Sequence, residues 1–283
     1  MSGMNLLKLR KMKASGEKIV MITAYDYPGA RLADEAGVDI ILVGDSLGTV
    51  VLGYENTLAV TMSDMIHHTK AVTRAVKQAM VVSDMPFMSY QVSATEAVAN
   101  AGRLLQEAGA HAVKLEGGTE IIPAITKIID AGIPVMGHLG FTPQSVHRIG
   151  GALFQGKTAA KAVQLMEDAL RLEDTGVFAV VLELVPLEAA ELISGRLQIP
   201  VIGIGSGPKC DGQVLVYHDL LGLGMSFQPK HSRIFANAGQ VIREGINSYV
   251  QEVRRGIFPT AGHTKTMEPV ELEELNKMSG GKS

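Results

Sequence analysis

Short apolar runs rich in β-branched residues alternate with segments of helical spacing along most of this chain of 283 residues. The runs are apolar at successive positions, which is typical of strands covered on both faces of a parallel sheet. Parallel neighbours need a crossover, usually a helix, so the alternation predicts repeated strand-helix units. Seven strands are predicted at residues 19–23, 40–43, 80–82, 112–115, 134–136, 179–184 and 200–204. Helices are predicted at residues 28–36, 63–78, 95–108, 119–130, 159–174, 187–195 and 234–254.

Polar residues at five strand ends help to choose between the two folds that bury parallel strands. These residues are Asp45, Asp84, Glu116, His138 and Glu183. An open doubly wound sheet gathers its site at one switch point, whereas a closed barrel brings every strand end to one mouth. We therefore predict the α/β class and a (β/α)8 TIM barrel.

We expect one barrel domain to span residues 1–283. A short basic extension is predicted up to about residue 18 and a polar tail, with a short acidic helix, from about residue 260. The eighth strand has no clear apolar run, and we predict it at residues 221–225.

Composition excludes several classes of partner. The formal net charge is −3 and both signs are interspersed, so no basic surface for nucleic acid or an anionic membrane is expected. The single cysteine, Cys210, excludes an intramolecular disulfide and favours a reducing compartment. The basic start has no signal-peptide core, and no run approaches the length of a membrane span. We expect a soluble cytoplasmic protein.

Three carboxylates follow the second, third and fourth predicted strands: Asp45, Asp84 and Glu116. Three acids that meet at one mouth repel each other unless a cation lies among them. Mg²⁺ prefers oxygen ligands, takes few carboxylates and keeps positions for water or substrate. A single Asp could equally be a helix cap or a loop charge, so the predicted metal site depends on all three residues together.

Lys114 and Glu116 lie two residues apart on one strand, so both side chains face the same way. They could form an ion pair inside the barrel. Lys114 could also neutralise an anionic substrate while Glu116 faces the metal, and both explanations can hold at once.

Glu183 has no cationic neighbour in the sequence and lies on a different wall from the predicted metal ligands. That isolation suits a general base, although a structural glutamate that caps a loop is the alternative. His138 could hydrogen-bond a substrate oxygen or one of the acids. Two glycine-rich segments also adjoin the mouth: residues 203–207 form a tight turn or a phosphate site, and residues 150–156 could be a flap.

Seven ordered motifs resemble the ketopantoate hydroxymethyltransferase family, over about residues 22–259. They are VGDSLG at 43–48, DMPFMSY at 84–90, VKLEGG at 113–118, GHLGFTPQS at 137–145, LELVP at 182–186, IGIGSG at 202–207 and DGQVLVYHDLLG at 211–222. One departure is visible, since Ser206 stands where we expect alanine in GIGAG.

The resemblance implies transfer of a hydroxymethyl group from 5,10-methylenetetrahydrofolate to 3-methyl-2-oxobutanoate, which gives 2-dehydropantoate for pantothenate synthesis. It implies Mg²⁺ held by Asp45, Asp84 and Glu116, with the 2-oxo acid chelating the metal and Ser46 and Lys114 at the substrate carboxylate. Asp45, Asp84 and His138 would also contact substrate, and Glu183 would be the base. The family resemblance further implies a homodecamer.

Two other functions remain open. A relative of phosphoenolpyruvate mutase and isocitrate lyase would share the Mg²⁺-enolate barrel but often uses a reactive cysteine, and Cys210 lies past the glycine turn. A non-catalytic barrel that binds a 2-oxo acid would need the carboxylates and Lys114 but not an isolated base such as Glu183.

Overall fold

Eight parallel strands close into a barrel in the computed structural model, which describes residues 3–224 and 229–280. Each strand pairs with the next along the chain, and the last pairs with the first, with Ile19 opposite Gly212. The predicted (β/α)8 TIM barrel is confirmed. The strands are β1 (Ile19–Thr23), β2 (Ile40–Val43), β3 (Met80–Asp84), β4 (Ala112–Glu116), β5 (Val135–Gly140), β6 (Ala179–Glu183), β7 (Val201–Ile204) and β8 (Gly212–Leu215).

Helices occupy the crossovers after each of the first six strands, and all seven predicted helices are present with small shifts at their ends. The α-helices are α1 (Leu6–Ser15), α2 (Tyr27–Glu35), α3 (Leu47–Val50), α4 (Met62–Ala75), α5 (Ala94–Gln106), α6 (Ile122–Asp130), α7 (Val146–Ile149), α8 (Ala159–Thr175), α9 (Leu187–Arg196), α10 (Tyr217–Leu220), α11 (Ala238–Arg254) and α12 (Pro269–Met278). Short 3₁₀ turns lie at Thr57–Ala59, Thr119–Ile121, Pro143–Ser145 and Ala261–His263.

The predicted position of the eighth strand is wrong. Residues 221–224 form a turn and loop, and residue 225 lies outside the described residues. The strand is instead β8, which follows β7 after turns at residues 205–211 with no helix between them. Gln213 in the middle of β8 is exposed, so this strand has no continuous apolar run. The other strands were predicted from a continuous apolar run and from a helix before the next strand, and β8 has neither.

Alternate strand residues fill the barrel interior, while the residues between them pack under the helices. Ile40 and Leu42 belong to the interior cluster, and Ile41 and Val43 belong to the cluster between strands and helices. This alternation follows from the two-residue repeat of a strand. The alternation determines which residues at the strand ends face the mouth.

The predicted N-terminal extension contains α1, which joins the interior core. Leu9 and Met12 of this helix are buried in the same cluster as the interior strand residues. Lys13 Nζ lies 2.6 Å from Asp211 Oδ2, at the start of the segment that leads into β8. The basic residues at the start of the chain therefore include one that anchors α1.

The chain divides into two compact units, Met1–Phe235 and Ala236–Ser283. The first holds the barrel, and the second holds α11 and α12, the latter being the predicted short acidic helix. The second unit begins upstream of the tail predicted from about residue 260. No helix within residues 3–224 and 229–280 combines the length and apolar character needed to cross a membrane.

Candidate active site

The interior-facing positions of the barrel change from apolar to charged at the carboxyl ends of the strands. In β3, Asp84 follows the interior residues Met80 and Val82, and in β4, Lys114 and Glu116 follow Ala112. The same alternation places His138 above Met136 in β5 and Glu183 above Val181 in β6. Strand geometry alone therefore directs these side chains to one mouth.

One cavity of about 250 Å³ lies at this mouth. It is lined by every residue that the sequence singled out for the site: Asp45, Ser46, Asp84, Lys114, Glu116, His138 and Glu183. Five of these are buried, with exposed fractions between 3% and 6%, whereas Ser46 and Glu183 are partly exposed. Asp219 and His231 also line the cavity, and the sequence reasoning missed both.

Lys114 lies at the centre of the buried charges. Its Nζ is 3.0 Å from Asp84 Oδ1, 3.8 Å from Glu116 Oε1 and 3.0 Å from His138 Nδ1. Burial lowers the pKa of Lys114, but the charges of Asp84, Glu116 and Asp45 outweigh it, so the pKa rises and the ammonium stays charged. The ion pair predicted inside the barrel is present, and Lys114 still faces the cavity.

The carboxyl groups respond differently to this environment. Burial raises the pKa of Asp45 well above its usual value, and the charges of Glu116 and Asp84 raise it further. Burial also raises the pKa of Asp84, although Lys114 acts in the opposite direction. For Glu116, burial is outweighed by contacts with His138 and Lys114, so its pKa is lowered. Two of the three acids therefore resist ionisation unless more positive charge is supplied.

The charge and chemistry of this cluster fit a hard divalent cation. Three carboxylates face one ammonium, and a divalent cation would relieve the excess negative charge. Asp84 Oδ1 and Glu116 Oε1 are buried and, within the described residues, meet Lys114 and His138 in ion pairs rather than in well-aligned hydrogen bonds. Within residues 3–224 and 229–280, no three or more His, Cys, Asp or Glu side chains are arranged so that they alone could hold a metal ion. Water and substrate oxygens would complete the shell, as is usual for Mg²⁺.

His138 connects the carboxylate cluster to Glu183. Its Nδ1 lies 3.2 Å from Glu116 Oε1, and its Nε2 lies 3.3 Å from Glu183 Oε2. Burial and the charge of Lys114 lower the pKa of His138, but the contacts with Glu116 and Glu183 outweigh them and raise it. When the ring is neutral and Nδ1 accepts from Lys114, the remaining N–H is on Nε2, which meets Glu183 Oε2 at ion-pair distance rather than in an aligned hydrogen bond.

The predicted isolation of Glu183 is therefore wrong, because sequence separation hid the contact. His138 and Glu183 lie on adjacent strands, β5 and β6, with Gly140 opposite Glu183 in the register. The side chain of Glu183 keeps 16% exposure, while that of His138 keeps 3%. Solvent or a ligand therefore reaches Glu183 more readily than it reaches the buried Asp45, Asp84 and Glu116.

Ser46 lies at the opposite side of the mouth, at the N-cap position of the short helix α3, where its side chain makes no capping hydrogen bond. Its Oγ is 2.8 Å from Tyr25 Oη, and burial raises the pKa of Tyr25, so the phenol stays protonated. A protonated phenol can donate to Ser46 Oγ and leave the serine hydroxyl hydrogen free for a ligand. This arrangement could bind a carboxylate next to Lys114.

The matches to known proteins identify the family. Residues 3–261 match the family model described as ketopantoate hydroxymethyltransferase. The chain belongs to this family. It is 57% identical over 266 residues to the 3-methyl-2-oxobutanoate hydroxymethyltransferase of Acetivibrio thermocellus, with 94% of each chain covered. It is 54% identical over 275 residues to the protein of that name from Carboxydothermus hydrogenoformans, covering 97% of this chain and 100% of the relative.

Solved structures with a similar fold are more distant in sequence. A phosphonopyruvate hydrolase solved with oxalate and Mg²⁺ has a TM-score of 0.60 and 13% identity, with 98% of this chain and 97% of that chain covered. An oxaloacetate acetylhydrolase has a TM-score of 0.58 and 14% identity, with 98% of both chains covered. At this identity the likeness shows the fold alone.

Among ketopantoate hydroxymethyltransferase motifs, the sequence reasoning overlooked Gln144 and Tyr90. Gln144 lies in the 3₁₀ turn after β5, and its side-chain Nε2 donates to Asp45 Oδ2 at 2.8 Å. Tyr90 Oη is 2.7 Å from Gln144 Oε1. Neither residue follows a strand directly, so the strand-end rule could not find them. The only sequence signal was their place in DMPFMSY and GHLGFTPQS.

Ser206, the departure from the expected family motif, is buried and hydrogen-bonds to backbone groups on both sides of the carboxyl end of β6. Its Oγ donates to Leu182 O at 2.8 Å and accepts from Val185 N–H at 3.1 Å. These partners flank Glu183 and Leu184, and Leu184 has a left-handed φ of 47°. The hydroxyl therefore supports the tight turn at residues 203–207 and fastens it to the turn that carries Glu183.

The segment at residues 150–156 also contacts the turn after Glu183. Ala152 lines the cavity, and Gln155 N–H donates to Leu184 O at 2.9 Å. A role for this segment as a flap stays a prediction. Cys210 is buried and is absent from the cavity lining, so it is not placed to serve as a catalytic acid there.

Proposed function

We propose that this chain transfers a hydroxymethyl group from 5,10-methylenetetrahydrofolate to 3-methyl-2-oxobutanoate and forms 2-dehydropantoate. Membership of the ketopantoate hydroxymethyltransferase family supports this activity. The observation that carries the proposal is the placement of Glu183, partly exposed and 3.3 Å from His138 Nε2, at the same cavity as the buried carboxylates and Lys114.

Ser46 and Lys114 would bind the substrate carboxylate. Lys114 stays charged because three carboxylates surround it, and the Tyr25 contact orients the Ser46 hydroxyl. Asp45, Asp84 and Glu116 would hold Mg²⁺, with Asp45 and Asp84 also close to the substrate. Bound there, the ion would polarise the ketone and stabilise the negative charge that develops on its oxygen.

Glu183 would remove the proton from C3 of the substrate. The C–H bond breaks, the proton moves to a carboxylate oxygen of Glu183, and the electron pair enters the enolate. His138 would orient Glu183 through Nε2 and contact the substrate. The enolate carbon then bonds to the one-carbon unit of the donor. Overall both C–N bonds of the methylene bridge break, one water molecule supplies the new hydroxyl group, and the C3 proton and the remaining water proton go to the two nitrogens of the departing tetrahydrofolate.

The proposal is tested with Glu183→Gln. Wild-type protein with Mg²⁺ should exchange the C3 hydrogen of 3-methyl-2-oxobutanoate with D2O, as followed by proton NMR. The variant should lose this exchange by at least about 100-fold, the lower range for a general base, and keep its substrate affinity. Glu191→Gln, the same change on the exposed face of α9, should exchange like the wild type.

The outcomes separate the candidate functions. Undiminished exchange in Glu183→Gln would remove this residue from the role of base. Substrate binding with no exchange in the wild type would favour a non-catalytic 2-oxo acid barrel. Exchange without a hydroxymethylated product on addition of the folate donor would favour enolate chemistry of the phosphoenolpyruvate mutase and isocitrate lyase type.

We also propose a cytoplasmic location and a homodecamer. The single buried cysteine is consistent with a reducing compartment. Family membership supports the oligomer, and the mass of the purified protein in light scattering tests it.

A further inference from the structure

Gln144 contacts two carboxylates of the cluster, one through its backbone N–H and one through its side-chain Nε2, and its side-chain Oε1 contacts Tyr90. The residue is buried, with 6% exposure, in the 3₁₀ turn Pro143–Ser145. Its Nε2 donates to Asp45 Oδ2 at 2.8 Å and to Met85 O at 2.9 Å. Its backbone N–H donates to Glu116 Oε2 at 2.9 Å. One residue therefore fixes an oxygen on each of two carboxylates that come from different strand ends.

The direction of the Gln144 amide is set from its other side. Tyr90 Oη lies 2.7 Å from Gln144 Oε1, its nearer acceptor, and 3.0 Å from Glu116 O, while Gln91 Nε2 lies 3.3 Å from the same Gln144 oxygen. Tyr90 Oη also accepts from Glu116 N–H at 3.2 Å, so the phenol is tied to β4. With Oε1 on the side of these two donors, Nε2 faces Asp45. A carboxylate at position 144 would repel Asp45, and an apolar side chain would leave Asp45 Oδ2 without this donor.

These contacts restrict Asp45 and Glu116 in different ways. Glu116 Oε2 is held by Gln144, while Oε1 faces His138 and Lys114, so rotation of the carboxylate would break contacts at both ends. Asp45 lies in the turn after β2, beyond the strand ladder, and its Oδ2 accepts the hydrogen bond from Gln144 Nε2. Gln144 supplies the fixed donor that such a turn residue needs to be preorganised.

We propose that Gln144 is a positioning residue that holds Asp45 and Glu116 in the orientation required to bind a divalent cation. The inference rests on the metal site of the proposed function. It adds a residue that is absent from the lining of the cavity at the barrel mouth, and it predicts an effect on metal affinity in the absence of substrate.

The experiment measures Mg²⁺ binding to substrate-free protein by calorimetry and Mn²⁺ binding by electron paramagnetic resonance. Gln144→Leu should raise the Kd for both ions about 10- to 100-fold, the usual effect of removing an outer-shell partner. Gln91→Leu is the matched control, because it removes the longer contact to the same Oε1 from an exposed side chain. Its Kd should stay within about two-fold of the wild type, since it leaves both carboxylate contacts in place.

Two further variants keep the test decisive if Gln144→Leu folds poorly. Gln144→Asn keeps an amide but withdraws it from Asp45, and Tyr90→Phe keeps the ring but removes the donor to Oε1. Both should weaken metal binding while circular dichroism stays like the wild type. For Gln144→Leu, raised Mg²⁺ should restore the C3 exchange rate, because the defect lies in metal affinity and Glu183 is intact.

The outcomes distinguish this inference from the proposed function. Wild-type affinity in folded Gln144→Leu and Gln144→Asn would overturn the positioning role and leave the proposed function standing. A wild-type protein that binds neither ion, with or without substrate, would overturn both.

Discussion

At the scale of single residues, the interior alternation of the strands determines most of the candidate site. Lys114 and Glu116 share one face of β4, and the structure places both in the cavity at the barrel mouth. The same rule fails for residues on turns, because a turn has no fixed repeat. Gln144 and Ser206 are buried in turns and hold neighbouring backbone or carboxylate groups, so only their contacts reveal what they do.

Asp34 shows a buried carboxylate with a structural role and leads to a pH prediction. It lies near the end of α2 and accepts backbone N–H bonds from Lys77, Gln78 and Ala79 at 2.9, 3.0 and 2.8 Å. Burial raises the pKa of Asp34, but these hydrogen bonds outweigh it, so the pKa is lowered. A lowered pKa in the folded state stabilises the protein above the unfolded pKa, and this stabilisation is lost as pH falls through the folded value.

We expect Asp34→Asn to lower the free energy of unfolding by about 1.5–3 kcal/mol at pH 7, the contribution of hydrogen bonds to a charged group. The difference from the wild type should narrow as pH falls from about 3.9, the ordinary pKa of aspartate in an unfolded chain, through the lowered pKa of folded Asp34. Urea unfolding at neutral pH and in this acid range measures the difference. Glu35→Gln, an exposed neighbour, should have a small effect at either pH. A difference that stays constant with pH would contradict the assigned role of the charge.

At the scale of secondary-structure elements, the sequence predicted seven of the eight strands and the helices between the first seven. Their apolar runs are continuous because helices cover one face and the interior layer covers the other. β8 is not covered on both faces in this way, since Gln213 is exposed and turns replace the helix before the strand. The contact between His138 and Glu183 was equally hidden, because it depends on the register of β5 and β6 rather than on either strand alone.

Gly140 shows how closely β5 and β6 approach at the site. It ends β5 with a φ of 94°, and a Cβ there would collide with the carbonyl oxygen of Glu183 and the side chain of Val185. Gly140→Ala should therefore destabilise the fold by more than the ~1–3 kcal/mol typical of a strained backbone residue. It should also slow C3 exchange, because the strand that carries Glu183 must move.

Gly132→Ala provides the matched control for this prediction. Gly132 has a φ of 83° but nothing within 4 Å of its Cβ position, so alanine adds backbone strain without a collision. We expect a lower melting temperature in both variants, with the larger drop in Gly140→Ala, and slower exchange in Gly140→Ala alone. Equal effects of the two substitutions on melting and exchange would show that the close approach of β5 and β6 is unimportant.

At the scale of the whole molecule, the candidate site and the candidate assembly surface differ in character: the first is charged and the second is apolar. The interspersed surface charges leave a net charge of −3, while the buried charges other than Asp34 gather at the barrel mouth. The second compact unit has a different character. Its helix α11 exposes five large apolar residues on one side: Val241, Ile242, Ile246, Tyr249 and Val253. An exposed apolar stripe of this kind marks an interaction surface more often than a solvent-facing helix.

The homodecamer proposed from the family provides a definite test of this stripe. Light scattering on purified protein should give about ten times the chain mass of 30.1 kDa. Ile246→Glu places a charge within the stripe and should lower the assembled mass, because a buried unpaired carboxylate is costly at an interface. Gln251→Glu adds the same charge on the opposite side of α11 and should leave the mass unchanged. A wild-type monomer would contradict the decamer, and an unchanged mass in Ile246→Glu would show that α11 is not part of the interface.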